Sequence, residues 1–162
     1  MKQEHLDVVQ RVHKLFKDKG LSLAVAESCT GGLISHLITA LPGASRFFQA
    51  GVVSYSEEAK KEILHVSSKT ISQFGMVSEE TAVVMADGVR SILNSDYALS
   101  TTGNLGPDVL DGKAKGLVFI AVCRKDKAVT QELHLEGDRE ENKEEAALSA
   151  LRFLAEIVEN DG

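Results

Sequence analysis

An apolar run, Leu21 to Ala26, ends abruptly in Glu27-Ser28-Cys29-Thr30-Gly31-Gly32, after which Leu33, Ile34, Leu37, Ile38 and Leu41 resume at helical spacing. No other stretch restricts the fold as much. A strand free of charge until its last residue is covered on both faces. A strand that turns through a few small residues into an amphipathic helix opens a βα unit. Ser28 sits in that turn. The first N–H groups of such a helix lack intrahelical partners and the macrodipole adds positive potential, so the turn is expected to hold a phosphate or to stabilise an oxyanion beside the serine. The same residues also suit an ordinary helix cap, with Ser28 or Thr30 accepting from the backbone and the glycines permitting close packing.

The rest of the chain continues the pattern. Leu6, Val9, Val12, Leu15 and Phe16 form one stripe of a helix over Glu4 to Lys19, closed by Gly20. The second helix runs from about Thr30 to Ala40 and stops at Leu41-Pro42-Gly43. A second strand is predicted over Ala50 to Tyr55, then a short helix over Glu57 to Leu64, then a turn at Gly75-Met76-Val77-Ser78 leading into a helix capped by Ser78 and ending near Leu93. Tyr97 to Thr101 is a third strand, followed by a long loop from Thr102 to Lys113. Gly116–Arg124 and Ala128–Leu135 read as an antiparallel hairpin, and a last helix covers about Glu140 to Glu159. The expectation is an α/β fold: a three-layer α/β/α domain over residues 1–162, with a mixed, mostly parallel sheet and an antiparallel edge hairpin.

Parallel strands joined by helices all end at one edge of the sheet, where open α/β sheets bind their ligands. Ser28, Tyr55 and Thr102 each follow a strand and therefore meet at that edge, and Lys60, five residues past Tyr55, can reach back to it. Tyr55 and Lys60 also suit plainer roles, as a half-buried strand aromatic and a solvated helix lysine.

The net charge of -6 and pI of about 5.4 argue against nucleic acid as the main partner. No apolar stretch is long enough to span a bilayer, and Met1-Lys2-Gln3-Glu4-His5 lacks a signal-peptide core, so no membrane association and a cytoplasmic location are expected. The two cysteines, Cys29 and Cys123, form neither a disulfide framework nor a zinc motif, and the five histidines have no metal-ligand spacing. No metal and no cofactor are expected. Cys29, beside a helix start, is expected to rival Ser28 as a nucleophile through a lowered pKa, and Cys123 to be a small core residue. The sequence leaves a homo-oligomer open.

Glu27-Ser28-Cys29-Thr30-Gly31-Gly32, Gly51-Val52-Val53-Ser54-Tyr55-Ser56-Glu57-Glu58-Ala59-Lys60, Gly75-Met76-Val77-Ser78, and Thr102-Gly103 with Gly106-Pro107 together resemble the C-terminal domain of the competence-damage protein CinA, over about Leu21 to Leu154. Free-standing versions of that domain are common, and a stand-alone domain is expected here. The resemblance implies a nicotinamide-nucleotide amidase, which hydrolyses nicotinamide mononucleotide to nicotinic acid mononucleotide and ammonia. It places the nucleophile on Ser28, a tyrosine that relays or orients the proton on Tyr55, and the base on Lys60. Hydrolysis of an amide without a metal needs a nucleophile, a proton acceptor and oxyanion donors, and a desolvated lysine can supply the second near neutral pH.

The small-molecule substrate carries a phosphate. The backbone of Thr30, Gly31 and Gly32, the loop residues Thr102, Gly103, Asn104 and Gly106, and Arg139 are the candidates to hold the substrate. Lys143 stands where the family usually has a second arginine. The long loop departs further: the family's version resembles Thr-Gly-Ile-Ala-Gly-Pro-x-Gly-Gly and later Lys-Pro-Val-Gly. Here Val109 and Leu110 replace two glycines and Ala114 the proline. The loop must take another path. Two further readings follow from it: an amidohydrolase for a related small amide, and a nucleotide-binding domain without turnover.

Overall fold

The strand Leu23–Glu27 (β1) is buried along its whole length, and its side chains divide by parity. Leu23 and Val25 join one hydrophobic core, Ala24 and Ala26 the other. Helices must therefore cover both faces of the sheet. The computed structural model describes residues 1–162. Around β1 the chain builds α1 (Gln3–Lys19), α2 (Leu33–Thr39), β2 (Phe48–Val53), α3 (Glu57–Leu64), α4 (Ser68–Phe74), α5 (Glu79–Leu93), β3 (Tyr97–Gly103), β4 (Leu117–Arg124), β5 (Lys127–His134) and α6 (Arg139–Asn160), with a 3-10 turn at Ala44–Arg46.

The sheet order is β2-β1-β3-β4-β5. β1 pairs in parallel with both β2 and β3, while β4 is antiparallel to β3 and to β5, so only β4 runs against the rest. The larger core, with Val9, Val12, Phe16, Ile34, Ile38, Leu151 and Leu154, lies under α1, α2 and α6. The smaller, with Leu64, Ile71, Met85 and Val89, lies under α3, α4 and α5. The three layers match the sequence expectation. The chain runs from β1 out to β2 and then crosses back past β1 to β3, so the crevice beyond the carboxyl ends of β1 and β3 is the topological switch point. No helix is long and apolar enough to cross a membrane.

Three local expectations are corrected. β2 spans Phe48–Val53 rather than Ala50–Tyr55, because β1 ends at Glu27: Ser54 N–H donating to Glu27 O at 2.9 Å is the last rung between the two strands, and Tyr55 lies in the loop beyond it. α2 begins at Leu33 rather than Thr30, since Gly31 and Gly32 adopt φ of +59° and +100°, outside the helical region. α4 was not expected; Ser67 caps it by accepting from Thr70 N–H.

Candidate active site

Glu27, the last residue of β1, is wholly buried and organises the turn that follows. Its carboxylate accepts from Thr30 Oγ1 at 2.7 Å, Ile34 N at 2.9 Å, Ser35 N at 3.0 Å and Ser35 Oγ at 2.8 Å. The anion held at the start of α2 is thus the protein's own carboxylate. The Ile34 and Ser35 N–H groups are therefore not open to a phosphate, and Glu27 is the positioning residue that sequence reasoning passed over. The available signal was an acid ending an uncharged strand a few residues before a helix. With that end saturated, the free donors lie in the turn itself. Ser28 N donates to Thr101 O at 3.1 Å, tying the serine to the end of β3, and Gly31 N donates to Ser28 O at 3.0 Å. The N–H groups of Cys29, Thr30 and Gly32 have no backbone acceptor.

Lys60 is only 1% exposed, although it belongs to a short surface helix. Its Nζ donates to Ser28 Oγ at 2.8 Å, to Ser54 O at 2.8 Å and to Tyr55 O at 3.1 Å. Burial lowers its pKa from the ordinary 10.5 to about 8. An ammonium has three protons, and two are directed at fixed carbonyls. A neutral amine therefore keeps those two bonds and turns its lone pair to the serine hydroxyl. The neighbouring Lys61 faces elsewhere, 3.8 Å from Glu57. Cys29 is buried and its thiol is pushed up to about 12 by desolvation, so the expected lowering does not occur and the thiol stays protonated near neutral pH. Cys123 is buried among the core residues of the α5 face.

Tyr55 shares the site through its carbonyl, while the residue as a whole is 58% exposed. Its hydroxyl accepts from Arg139 Nη2 at 2.9 Å, and Arg139 Nη1 donates to Gly106 O at 2.6 Å. The phenol does not stand between Ser28 and Lys60, which touch directly. Arg139 forms no ion pair with Glu140, Glu141 or Glu144; it bridges the loops after β2 and β3. The Lys143 amine lies over the glycine turn, 3.1 Å from where a Cβ on Gly31 would stand.

The remaining candidates serve mainly to build the walls. Thr30 is buried, with its hydroxyl shared between Glu27 and Thr101. Thr102 Oγ1 donates to Met76 O at 2.7 Å. Gly103 closes β3, where a Cβ would come within 2.7 Å of Val118. Asn104 is 3% exposed and ties the long loop to itself, accepting from Leu110 N at 2.9 Å and donating to Leu110 O at 3.2 Å. Asp111 accepts from Val77 N at 2.9 Å and Lys113 Nζ donates to Phe74 O at 2.7 Å, which anchors the far end of the loop on the segment before α5. These side chains specify the loop's path where the family's glycines are absent.

A cavity of about 420 Å³ opens between this loop and the turn, lined by Cys29, Tyr55, Pro107, Asp108, Val109 and Arg139, among others. A larger hollow of about 910 Å³ lies on the other side of Arg139, against Leu33, His36 and Leu37 of α2 and Lys143 of α6. The larger one includes neither Ser28, Tyr55 nor Lys60. The smaller reaches Cys29, the residue next to Ser28.

The CinA C-terminal domain model matches residues 5–158. A competence-damage inducible protein of Desulforamulus reducens is 40% identical over 94% of this chain and 37% of its own length. One from Thermoanaerobacter pseudethanolicus is 45% identical over 88% of this chain and 35% of its own. The chain thus spans about a third of the length of these curated relatives. A CinA superfamily protein of Klebsiella pneumoniae, known from its crystal structure, superposes with a TM-score of 0.94 at 30% identity, covering 98% of this chain and 99% of the other. With the fold, the serine turn and the family match in agreement, the chain belongs to the CinA C-terminal domain family.

Proposed function

We propose that this domain is a nicotinamide-nucleotide amidase that converts nicotinamide mononucleotide and water to nicotinic acid mononucleotide and ammonia. The observation that carries the reading is the buried Lys60 amine 2.8 Å from Ser28 Oγ, with its pKa lowered to about 8. Neutral Lys60 takes the Ser28 proton as Oγ attacks the carboxamide carbon. The unpaired N–H groups of Cys29 and Thr30 are the donors available to the developing oxyanion. Lys60 then returns the proton to the departing nitrogen, which leaves as ammonia and gives an ester on Ser28. Water attacks the ester with Lys60 again accepting a proton; the acid departs and the serine is regenerated.

Direct contact between Ser28 and Lys60 makes a relay unnecessary, so Tyr55 is assigned to the cavity wall, where its hydroxyl orients Arg139. Arg139 and Lys143 are the cations placed to meet the substrate phosphate. A second reading, an amidase for a different small amide, is favoured by Val109 and Leu110 in the loop that bounds the cavity. Ammonia release separates the two. Nicotinamide mononucleotide is expected to be turned over well ahead of free nicotinamide and the dinucleotide, and not at all by Ser28→Ala. Turnover of another amide but not the mononucleotide establishes the second reading. No ammonia from any amide sinks both.

A further inference from the structure

The charges in the small cavity are unevenly committed. Its guanidinium, Arg139, has both terminal nitrogens engaged, one by Tyr55 Oη and one by Gly106 O. Its one carboxylate, Asp108, is exposed to the cavity and takes part in none of the protein's salt bridges. Pro107 and Val109 flank Asp108 in the sequence and line the same cavity, which the Tyr55 ring also borders. A carboxylate outside any salt bridge, an aromatic ring and apolar walls together suit a flat cationic group, which gains from the carboxylate charge and from the ring face. Arg139 also lines the neighbouring hollow, where Lys143, a cation in none of the salt bridges, stands with Glu140 and with Glu144, which is paired with Lys2 and His5.

We infer that Asp108 is a specificity-determining residue that selects a positively charged heteroaromatic carboxamide over a neutral one, with Tyr55 as the ring it lies against. This rests on the amidase reading and deepens it. An oxidised pyridine mononucleotide has a cationic ring for Asp108 and, beyond the ribose, a phosphate for Lys143. The reduced nucleotide keeps the carboxamide, the ribose and the phosphate, and the hydride added to its ring removes the positive charge along with the aromaticity. Because Asp108 is exposed, solvent and salt screen the attraction, and its effect on affinity is on the order of fivefold at low ionic strength.

The test is calorimetric binding in a Ser28→Ala background, so that no ligand is consumed, with and without Asp108→Asn. Asp108 makes no ion pair, and the substitution conserves its shape. Nicotinamide mononucleotide is expected to bind about fivefold more weakly to the Asp108→Asn protein, an effect that fades as salt is added, while the Kd of the reduced mononucleotide does not change. If both ligands bind and Asp108→Asn weakens both equally or neither, Asp108 does not read the ring charge and the inference is overturned while the amidase reading stands. If neither mononucleotide binds the protein that retains Asp108, the pyridine-nucleotide reading fails and this inference with it.

Discussion

Lys60 shows how burial changes a lysine that a short surface helix would otherwise present to solvent. It is reached from a helix whose other face is exposed, yet its amine is enclosed by Ser28 Oγ and two carbonyls with no carboxylate among the partners. Desolvation without a counter-charge is what brings the pKa down to about 8. The rate is therefore expected to rise with pH through about 8, as the amine loses its proton. Lys60→Arg keeps a charge that does not titrate, and is expected to lose activity as fully as Lys60→Ala, by about a hundredfold or more in kcat. Near wild-type turnover by Lys60→Arg means that the base lies elsewhere. Cys29, with its thiol pushed up to about 12, is expected to tolerate Ser or Ala at the level of steady-state kinetics, whereas Ser28→Ala is inactive.

At the scale of the element, the turn between β1 and α2 is held from below by Glu27. Four donors converge on one buried carboxylate, two of them peptide N–H groups at the start of a helix only seven residues long. So short a helix has little intrinsic stability, and its position depends on this anchor and on packing. Glu27→Ala leaves those donors buried and unpaired, at a cost of roughly 3–5 kcal/mol. Glu27→Gln, which keeps one acceptor, is expected to cost less. Urea unfolding of the two variants measures both, and a loss below about 1 kcal/mol for Glu27→Ala shows that the anchor is dispensable. The long loop after β3 follows the same logic: Asn104, Asp111 and Lys113 hold a path for a segment in which Asp111 itself has φ of +60°.

For the whole molecule, the same buried lysine links the proposed catalysis to stability. Its proton affinity is lower in the folded chain than in the unfolded one, so between about pH 8 and 10.5 the unfolded state binds more protons and stability rises with pH. Below that range the native state must hold a buried charge. Lys60→Met is thus expected to be the more stable protein near pH 7, and its advantage over wild type should shrink as pH climbs to 10.5. Denaturant midpoints at the two ends of the range check this; an advantage independent of pH means Lys60 is not titrating in that range. Much of the architecture was legible in the sequence, because hydrophobic periodicity is local. The uncharged run before Glu27, the stripes of α1 and α6 and the β4–β5 hairpin specify three layers and set Ser28 at a strand end. Other features were not legible. The end of β2 before Tyr55, the Tyr55–Arg139 bond between residues 84 apart and the Glu27 anchor depend on which groups become neighbours. By itself the sequence determined which faces are buried and which residue types stand at the switch point. Only the tertiary structure decided which donors and acceptors meet there and which lose their water, because desolvation and hydrogen bonding between distant segments exist only once the layers have packed.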